Sequence, residues 1–404
     1  MMNEQITQNL SIPVTQTADV LVAGGGIAGV AAALAAARSG KKVLLCEREY
    51  LPGGLATLGM VVIYLPLDDG NGKQVSFGIA EELLRLSLKD GKLPWIEKSP
   101  ALATNFWPEP WLRDGTKEER IRTRFQSTYN AYSYALALEQ LLRKEGVEIL
   151  YGTWVADAAV KDGAITHVIL ENIDGRTAVA VSAAVDATGD AVLARAAGEE
   201  TALFSCGNVR SCWYLAGAKG DQFLVELSES IARPDRPAAP GQTVISGVDA
   251  RENSRFLQES HDRLLADLAR RRKIAPDAQI LTMATIPDHR MTRRIVGVSQ
   301  SERSHEGAFL PDSVGCFGNW IRADGGYELP FGALFGNRVK NLAVAGRCLS
   351  AADDMWDLTR VIPVCAVSGE AAGVAAAMSP DLHALPVSDL QAELARRGVK
   401  LHLN

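Results

Sequence analysis

The sequence predicts an α/β fold: a Rossmann-like dinucleotide-binding domain with an inserted antiparallel β-meander and a second, α+β domain. Three observations predict it. The first is Gly24-Gly25-Gly26-Ile27-Ala28-Gly29, a G-x-G-x-x-G turn between the apolar run Asp19 to Ala23 and an Ala-rich helical stretch. The second is a set of three β-rich runs separated by Asp-Gly turns, Lys161-Asp162-Gly163 and Ile173-Asp174-Gly175. The third is a late return of the opening pattern, a buried strand at Asn341 to Arg347 followed by a long small-residue helix.

Residues 18–48 read as strand, helix, strand, and Glu47 closes the second strand 18 residues after Gly29. Gly24 permits the tight turn, Gly26 lets backbone approach a pyrophosphate, and Gly29 lets the helix pack on the strand. The helix start offers unpaired N–H groups to phosphates, and Glu47 suits a ribose diol. The glycines of 51–59 suit a loop close to a ligand. Phe77 to Leu88 predicts a short amphipathic helix. Residues 91–130 read as an irregular excursion, and the aromatics concentrated around it, Trp95, Trp107, Trp111, Phe125, Tyr129, Tyr132 and Tyr134, read as packing.

Tyr132 to Lys144 predicts a helix with Leu136, Leu138, Leu141 and Leu142 on its apolar side, stopped by Gly146. A short strand at 147–151 follows, then the meander of 153–160, 164–171 and 177–185. An apolar strand then ends in the turn Ala187-Thr188-Gly189-Asp190. Further on, 233–240 reads as a loop, Asn253 to Arg272 as a helix and 276–300 as strands. Pro363 opens a helix through Met378, in a favoured first-turn position, and Val387 to Arg397 forms the last helix.

Composition narrows the function classes. The chain has 404 residues, 47% apolar and 22% charged, which suits a two-domain globular protein. A net charge of −6 argues against nucleic acid as a partner. No apolar run is long enough to span a bilayer, and Met1 to Thr17 lacks a secretory pattern, so a cytoplasmic protein without a membrane partner is expected. The six cysteines form no C-x-x-C pair and the six histidines are scattered, so no metal site is expected.

A G-x-G-x-x-G turn with an acid serves NAD and FAD alike. An NAD dehydrogenase would continue in alternating β and α units, whereas this chain delivers a meander and a final βα unit. With these features the chain resembles the FAD-dependent oxidoreductases of the glutathione-reductase-like two-domain fold, related to the fumarate reductase flavoproteins. Besides Gly24 to Gly29 and Glu47, the resemblance rests on Gly53-Gly54-Leu55-Ala56-Thr57, Ala187 to Asp190, Arg290 to Gly297, Asn341 to Ser350 and Gly369 to Ala376.

The resemblance implies a discontinuous FAD domain of 15–90, 130–205 and 326–404, and a substrate domain of 91–129 and 206–325. It places Gly24, Gly26, Ile27, Ala28 and Gly29 at the pyrophosphate and Glu47 with Arg48 at the adenosine ribose. Gly54, Leu55, Ala56 and Thr57 would lie along the cofactor, and Val155 would present its backbone to adenine. Thr188, Gly189 and Asp190 would line the adenosine side, and Gly346, Arg347 and Ser350 the ribityl and phosphate groups. Arg360, Val361 and Ile362 would run by the isoalloxazine. Arg347 stands where many relatives place Asp, so a phosphate contact is expected there.

No cysteine lies between Cys46 and Cys206, against a disulfide reductase, and no histidine precedes His167, so FAD is expected to be bound non-covalently. The expected reaction is hydride transfer between flavin N5 and a small polar, carboxylate-bearing substrate. The electron donor or acceptor is unassigned and a homo-oligomer is left open. Arg290 and Arg293, in the run Pro287 to Arg294, are candidate catalytic residues because guanidinium forks suit carboxylates. The alternative for that run is a salt-bridged strand edge. His305 and Tyr327 are candidate acid/base groups. An O2-using oxidase or monooxygenase, and a non-catalytic FAD- or NAD-binding protein, are the competing readings.

Overall fold

The computed structural model describes residue 7 and residues 9–88, 95–96, 115–124 and 127–404. Trp107, Trp111, Phe125 and the side chain of Trp95 lie outside the described residues. The opening unit is β1 (Val14–Ala23), α1 (Ile27–Arg38) and β2 (Val43–Cys46). β1 pairs in parallel with β2, which pairs in parallel with β3 (Glu148–Leu150). The meander is β4 (Trp154–Lys161), β5 (Ala164–Asn172) and β6 (Gly175–Asp186). Asp162 and Gly163 take φ of +53° and +75°, the left-handed pair that a tight hairpin requires.

The sequence separates the meander from the apolar strand before Ala187, but one twelve-residue strand forms both. The first half of β6 pairs antiparallel with β5, His167 opposite Ala180. Its second half pairs in parallel with β14 (Leu342–Val344), Ala184 opposite Leu342, while its other edge pairs along β1. The final strand at Ala183 to Asp186 is buried throughout, as a parallel strand covered on both faces must be.

Helices cover this sheet. α2 (Ile79–Ser87) and α3 (Ala131–Lys144) lie where the apolar patterns predict them. In α3 the buried stripe is Ala131, Tyr134, Ala135, Leu138 and Leu142, and Leu136 is 53% exposed. The expectation for Leu136 fails because it lies two residues from Leu138, which is roughly 200° around a helix. Tyr129 and Tyr134 are buried, donating to Ala56 O at 3.0 Å and Leu83 O at 3.2 Å, so both serve packing.

After α4 (Val192–Ala196) and β7 (Thr201–Leu203), a second sheet joins β8 (Trp213–Ala218), β9 (Asp221–Glu226), the short strand Trp95–Ile96 and β10 (Gln279–Met283). α5 (Ala250–Arg272) packs on it through Leu264, which meets Tyr214 and Phe223 in one apolar cluster. Within 276–300, only β10 and β11 (Arg293–Ile295) are strands; the stretch between them is irregular. β12 (Ser313–Phe317) and β13 (Tyr327–Pro330) form a hairpin, and α6 (Asp353–Thr359), α7 (Ile362–Met378) and α8 (Val387–Arg396) complete the chain. No single described helix is long and apolar enough to cross a membrane. α6 and α7 pass that test together but are bent by 89°, and α7 is buried from Pro363 to Ala377 apart from Cys365.

α1 and α7 touch through backbone. A Cβ on Gly369 would sit 2.2 Å from Ala28 O, and one on Gly373 2.2 Å from Ala32 O. Gly373→Val should therefore lower stability by about 3 kcal/mol or more, read by denaturant unfolding. Between these glycines, buried Glu370 accepts from Ile79 N at 2.7 Å, and burial pushes its carboxyl up to about 7. A carboxyl raised on folding stabilises most fully when protonated, below its ordinary value of 4.5, and loses that contribution as pH rises through about 7. Relative to Glu370→Gln, the protein should lose about 3 kcal/mol between pH 4.5 and pH 8. Parallel pH profiles of unfolding for the two proteins would show no difference in slope if Glu370 ionises normally.

Candidate active site

The turn after β1 is set by close backbone approach. Gly24 has φ of +95°, and a Cβ there would lie 2.6 Å from Ala187 O; a Cβ on Gly29 would lie 1.8 Å from Gly24 O. Gly26 differs: nothing lies within 4 Å of where its Cβ would be, and the residue lines a cleft. The first turn of α1 faces the same cleft through Ile27 and Ala28, without a side-chain cap. That combination leaves a backbone cradle and a positive helix end open to an anion.

Glu47 is buried at the cleft's edge. Its Oε2 accepts from Gly25 N at 2.5 Å and its Oε1 from Glu49 N at 2.9 Å, so both oxygens are oriented before any ligand binds. Burial raises its pKa, opposed by those two N–H groups. The turn after β6 is organised by Asp186, fully buried, whose Oδ1 accepts from Thr188 N at 3.0 Å and Thr188 Oγ1 at 2.7 Å. Its Oδ2 accepts from Ala194 N at 2.8 Å. Sequence reasoning passed over Asp186; an acid two residues before a Thr-Gly turn was the available signal.

The cleft encloses about 1190 Å³ including its open mouth. Of the residues named from sequence, it brings together Gly24, Gly26, Ile27, Ala28, Glu47, Arg48, Gly54, Leu55, Ala56 and Val155. It adds Thr188, Gly189, Gly346, Arg347, Arg360, Ile362 and the candidate catalytic Arg290. Trp154, Thr153 and Glu49 at one end, and Ile286, Pro287 and Cys365 at the other, were not anticipated. Trp154 is 56% exposed and lies under Arg48, whose Cζ is 5.4 Å from its ring centroid. An exposed aromatic beside Val155 on one strand edge is the signal that could have found it.

Five of the anticipated cofactor residues stand behind the cleft lining. Gly29 packs the helix on the turn, Thr57 donates to Pro52 O at 2.8 Å, Val361 caps α7, and Ser350 is tied by backbone to Ala333 and Ser301. Asp190 accepts from Arg347 Nη2 and from Thr292 Oγ1, each at 2.7 Å. Burial opposes its ionisation, yet Arg347 and Thr292 hold its pKa below the ordinary value. Arg347 also donates to Gly189 O at 2.6 Å and to His289 O, so three of its five N–H groups are engaged with protein and about two remain for a ligand.

Three candidate catalytic residues do not line the cleft. Arg293 sits on β11, with Nη1 3.4 Å from Asp190 O. His305 lies in a short 3-10 turn beside β12 and β13. Tyr327 is fully buried, stacked on Phe317 at 5.5 Å, with its hydroxyl 3.5 Å from Glu306. The hairpin carrying Tyr327 packs on α7, where a Cβ on Gly315 would meet Val367 at 2.5 Å. This packing uses the tyrosine in the core.

Arg290 is the exception. Its backbone N donates to Asn208 Oδ1 at 2.8 Å, but among the described residues its guanidinium has no hydrogen-bonded or ion-paired partner. Burial lowers its pKa from the ordinary value, with Asp288 opposing and Arg360 reinforcing that shift. Arg360 is paired: its Nη2 lies 2.6 Å from Asp357 Oδ1, and Arg233 takes Asp357 Oδ2 at 2.5 Å. Cys365 donates its thiol to Arg360 O at 3.1 Å, and burial pushes the thiol up to about 12, so it stays neutral.

A cleft across the ends of parallel strands holds a glycine cradle beside the buried acid Glu47, and the guanidinium of Arg290, which has no partner among the described residues. The comparisons with known proteins are specific on family. The chain matches the FAD dependent oxidoreductase family over residues 19–210 and 227–396, and it belongs to that family. It is an oxidoreductase that uses FAD, and the open Gly26 cradle and oriented Glu47 fit that cofactor. No curated protein matches.

Among solved structures, a geranylgeranyl bacteriochlorophyll reductase-like protein from Thermoplasma acidophilum is similar at 16% identity and TM-score 0.47, covering 95% of this chain and 84% of that one. An open-conformation flavocytochrome c3 fumarate reductase is similar at 12% identity and TM-score 0.43, covering 90% and 79%. A 3-ketosteroid-Δ4-(5α)-dehydrogenase from Rhodococcus jostii RHA1 is similar at 15% identity and TM-score 0.41, covering 90% and 97%.

The glycines separate by consequence. Gly26→Val should leave a folded protein whose FAD affinity falls by roughly tenfold or more, about 1.4 kcal/mol or above. Flavin absorbance after gel filtration, beside an unfolding curve, checks both halves.

Proposed function

We propose that the protein catalyses hydride transfer between FAD and a small organic substrate carrying a carboxylate. The observation that supports the reading is Arg290, a guanidinium at the cleft with no partner among the described residues. A half-buried guanidinium without a partner is favoured by an anion that meets it, and its fork matches a carboxylate in two parallel hydrogen bonds. Arg360 lines the same cleft but is already hydrogen-bonded to Asp357, which it shares with Arg233 and whose ionisation burial opposes and the two arginines restore.

Gly24, Gly26 and the first turn of α1 would hold the FAD pyrophosphate, and Glu47 the adenosine ribose. Bound FAD supplies the two-electron acceptor or donor. The unpaired N–H groups at the start of α7, beside Ile362 and Cys365 in the cleft, would favour negative charge on the reduced ring. Arg290 would orient the substrate, so that binding energy at the carboxylate places the reacting carbon.

An anaerobic screen of hydroxy acids, amines and sugars against the FAD-loaded protein tests the reading by bleaching of the flavin band. A carboxylate-bearing compound should bleach it, and Arg290→Gln should raise that compound's KM by roughly tenfold to a hundredfold, with FAD content unchanged. Bleaching by uncharged compounds alone, insensitive to Arg290→Gln, would overturn it. Oxygen consumption after reduction would assign the oxidase or monooxygenase form.

A further inference from the structure

We propose that Thr292 and Arg347 are positioning residues that hold the Arg290 segment against the flavin cradle, so that cofactor site and substrate anchor form one mechanical unit. The proposal rests on the reading of Arg290 given above. Residues 289–292 lie between β10 and β11 without strand partners of their own, so neighbouring side chains carry much of their polar pairing. Arg347 donates to His289 O. Asn208 accepts from Arg290 N at 2.8 Å and Met291 N at 3.1 Å, and donates to Met291 O at 2.5 Å. The Thr292 hydroxyl lies 2.7 Å from Asp190 Oδ1 and 3.1 Å from Gly189 O.

The same two acceptors serve Arg347, which donates to Asp190 Oδ1 at 2.7 Å and to Gly189 O at 2.6 Å. Gly189 lines the cleft and has φ of +80°, and a Cβ on it would come within 2.8 Å of the Arg347 guanidinium. The turn that would face the cofactor is therefore bonded, through one carbonyl and one carboxylate, to Arg347, which holds the carbonyl before Arg290, and to Thr292, two residues after it. Thr292 stands outside the cleft lining, and its methyl fills the space beside Gly247, 2.6 Å from where a Cβ there would sit. Replacing its hydroxyl removes the bond and keeps the packing.

The test uses the FAD-loaded protein and acetate as the probe carboxylate, read by its saturable perturbation of flavin absorbance. Thr292→Val should retain FAD within about twofold of the parent and weaken acetate by roughly tenfold, and Thr292→Ser, which keeps the hydroxyl, should restore it. A role in stability alone would lower the melting temperature of the valine variant without this split. Acetate binding by Thr292→Val equal to that of the parent overturns the proposal. If acetate perturbs neither the parent nor Arg290→Gln, the Arg290 reading fails. The positioning role then stands or falls on amide hydrogen exchange in residues 286–294. Thr292→Val should raise exchange there about fivefold with FAD still bound, and unchanged exchange overturns it.

Discussion

The cleft of this molecule is registered on one strand. β6 carries the meander on half of one edge, the returning strand β14 on the other half, and β1 along its opposite edge. Because side chains alternate across a strand and pairing sets register, fixing β6 fixes where three separate stretches of chain end. The turns after β1, β6 and β14 therefore come out side by side. Ala187 closes on Gly24, and Ala345 donates back to Asp186 O at 3.0 Å. A ligand site at the carboxyl ends of parallel strands follows from that registration.

Backbone proximity is the second constraint, and it depends on the first. α1 and α7 approach until Gly369 and Gly373 lie on the carbonyls of Ala28 and Ala32. The approach brings the N-terminus of α7, with Ile362 and Cys365, to one part of the cleft whose other part holds the N-terminus of α1. Two helix starts thus open on one cavity, one suited to phosphate and the other to negative charge on a reduced ring. Most of the charged groups between them are internally paired, Arg347 with Asp190 and Arg360 with Asp357, whereas Arg290 has no partner among the described residues.

Much of the fold was legible because it rests on local signals. The glycine turn, the two Asp-Gly hairpins, the Pro363 helix start and the Gly146 stop each express a backbone requirement that few residues meet. The candidate cofactor site was readable for the same reason, down to Glu47 and Gly189. What was not readable depended on which face a side chain takes after packing. Leu136 points outward because the stripe through Tyr134, Leu138 and Leu142 is the one that meets the sheet. Tyr327 and His305 have the right chemistry, but folding buries Tyr327 against Phe317 and sets His305 in a short turn, and neither lines the cleft.

By itself the sequence determined the dinucleotide cradle, the family and the order of elements, since these follow from glycine positions and hydrophobic period. Tertiary structure alone decided which of the arginines in these motifs lines the cleft without an internal partner among the described residues. Arg290, Arg293, Arg347 and Arg360 are alike in charge and all lie near flavin-type motifs. Only the folded chain shows that Arg347 and Arg360 are matched by buried aspartates and that Arg293 lies outside the cleft. A guanidinium's availability depends on what lies within about 4 Å of it in space, and the matching aspartate comes from 157 residues away for Arg347 and from the same helical turn for Arg360.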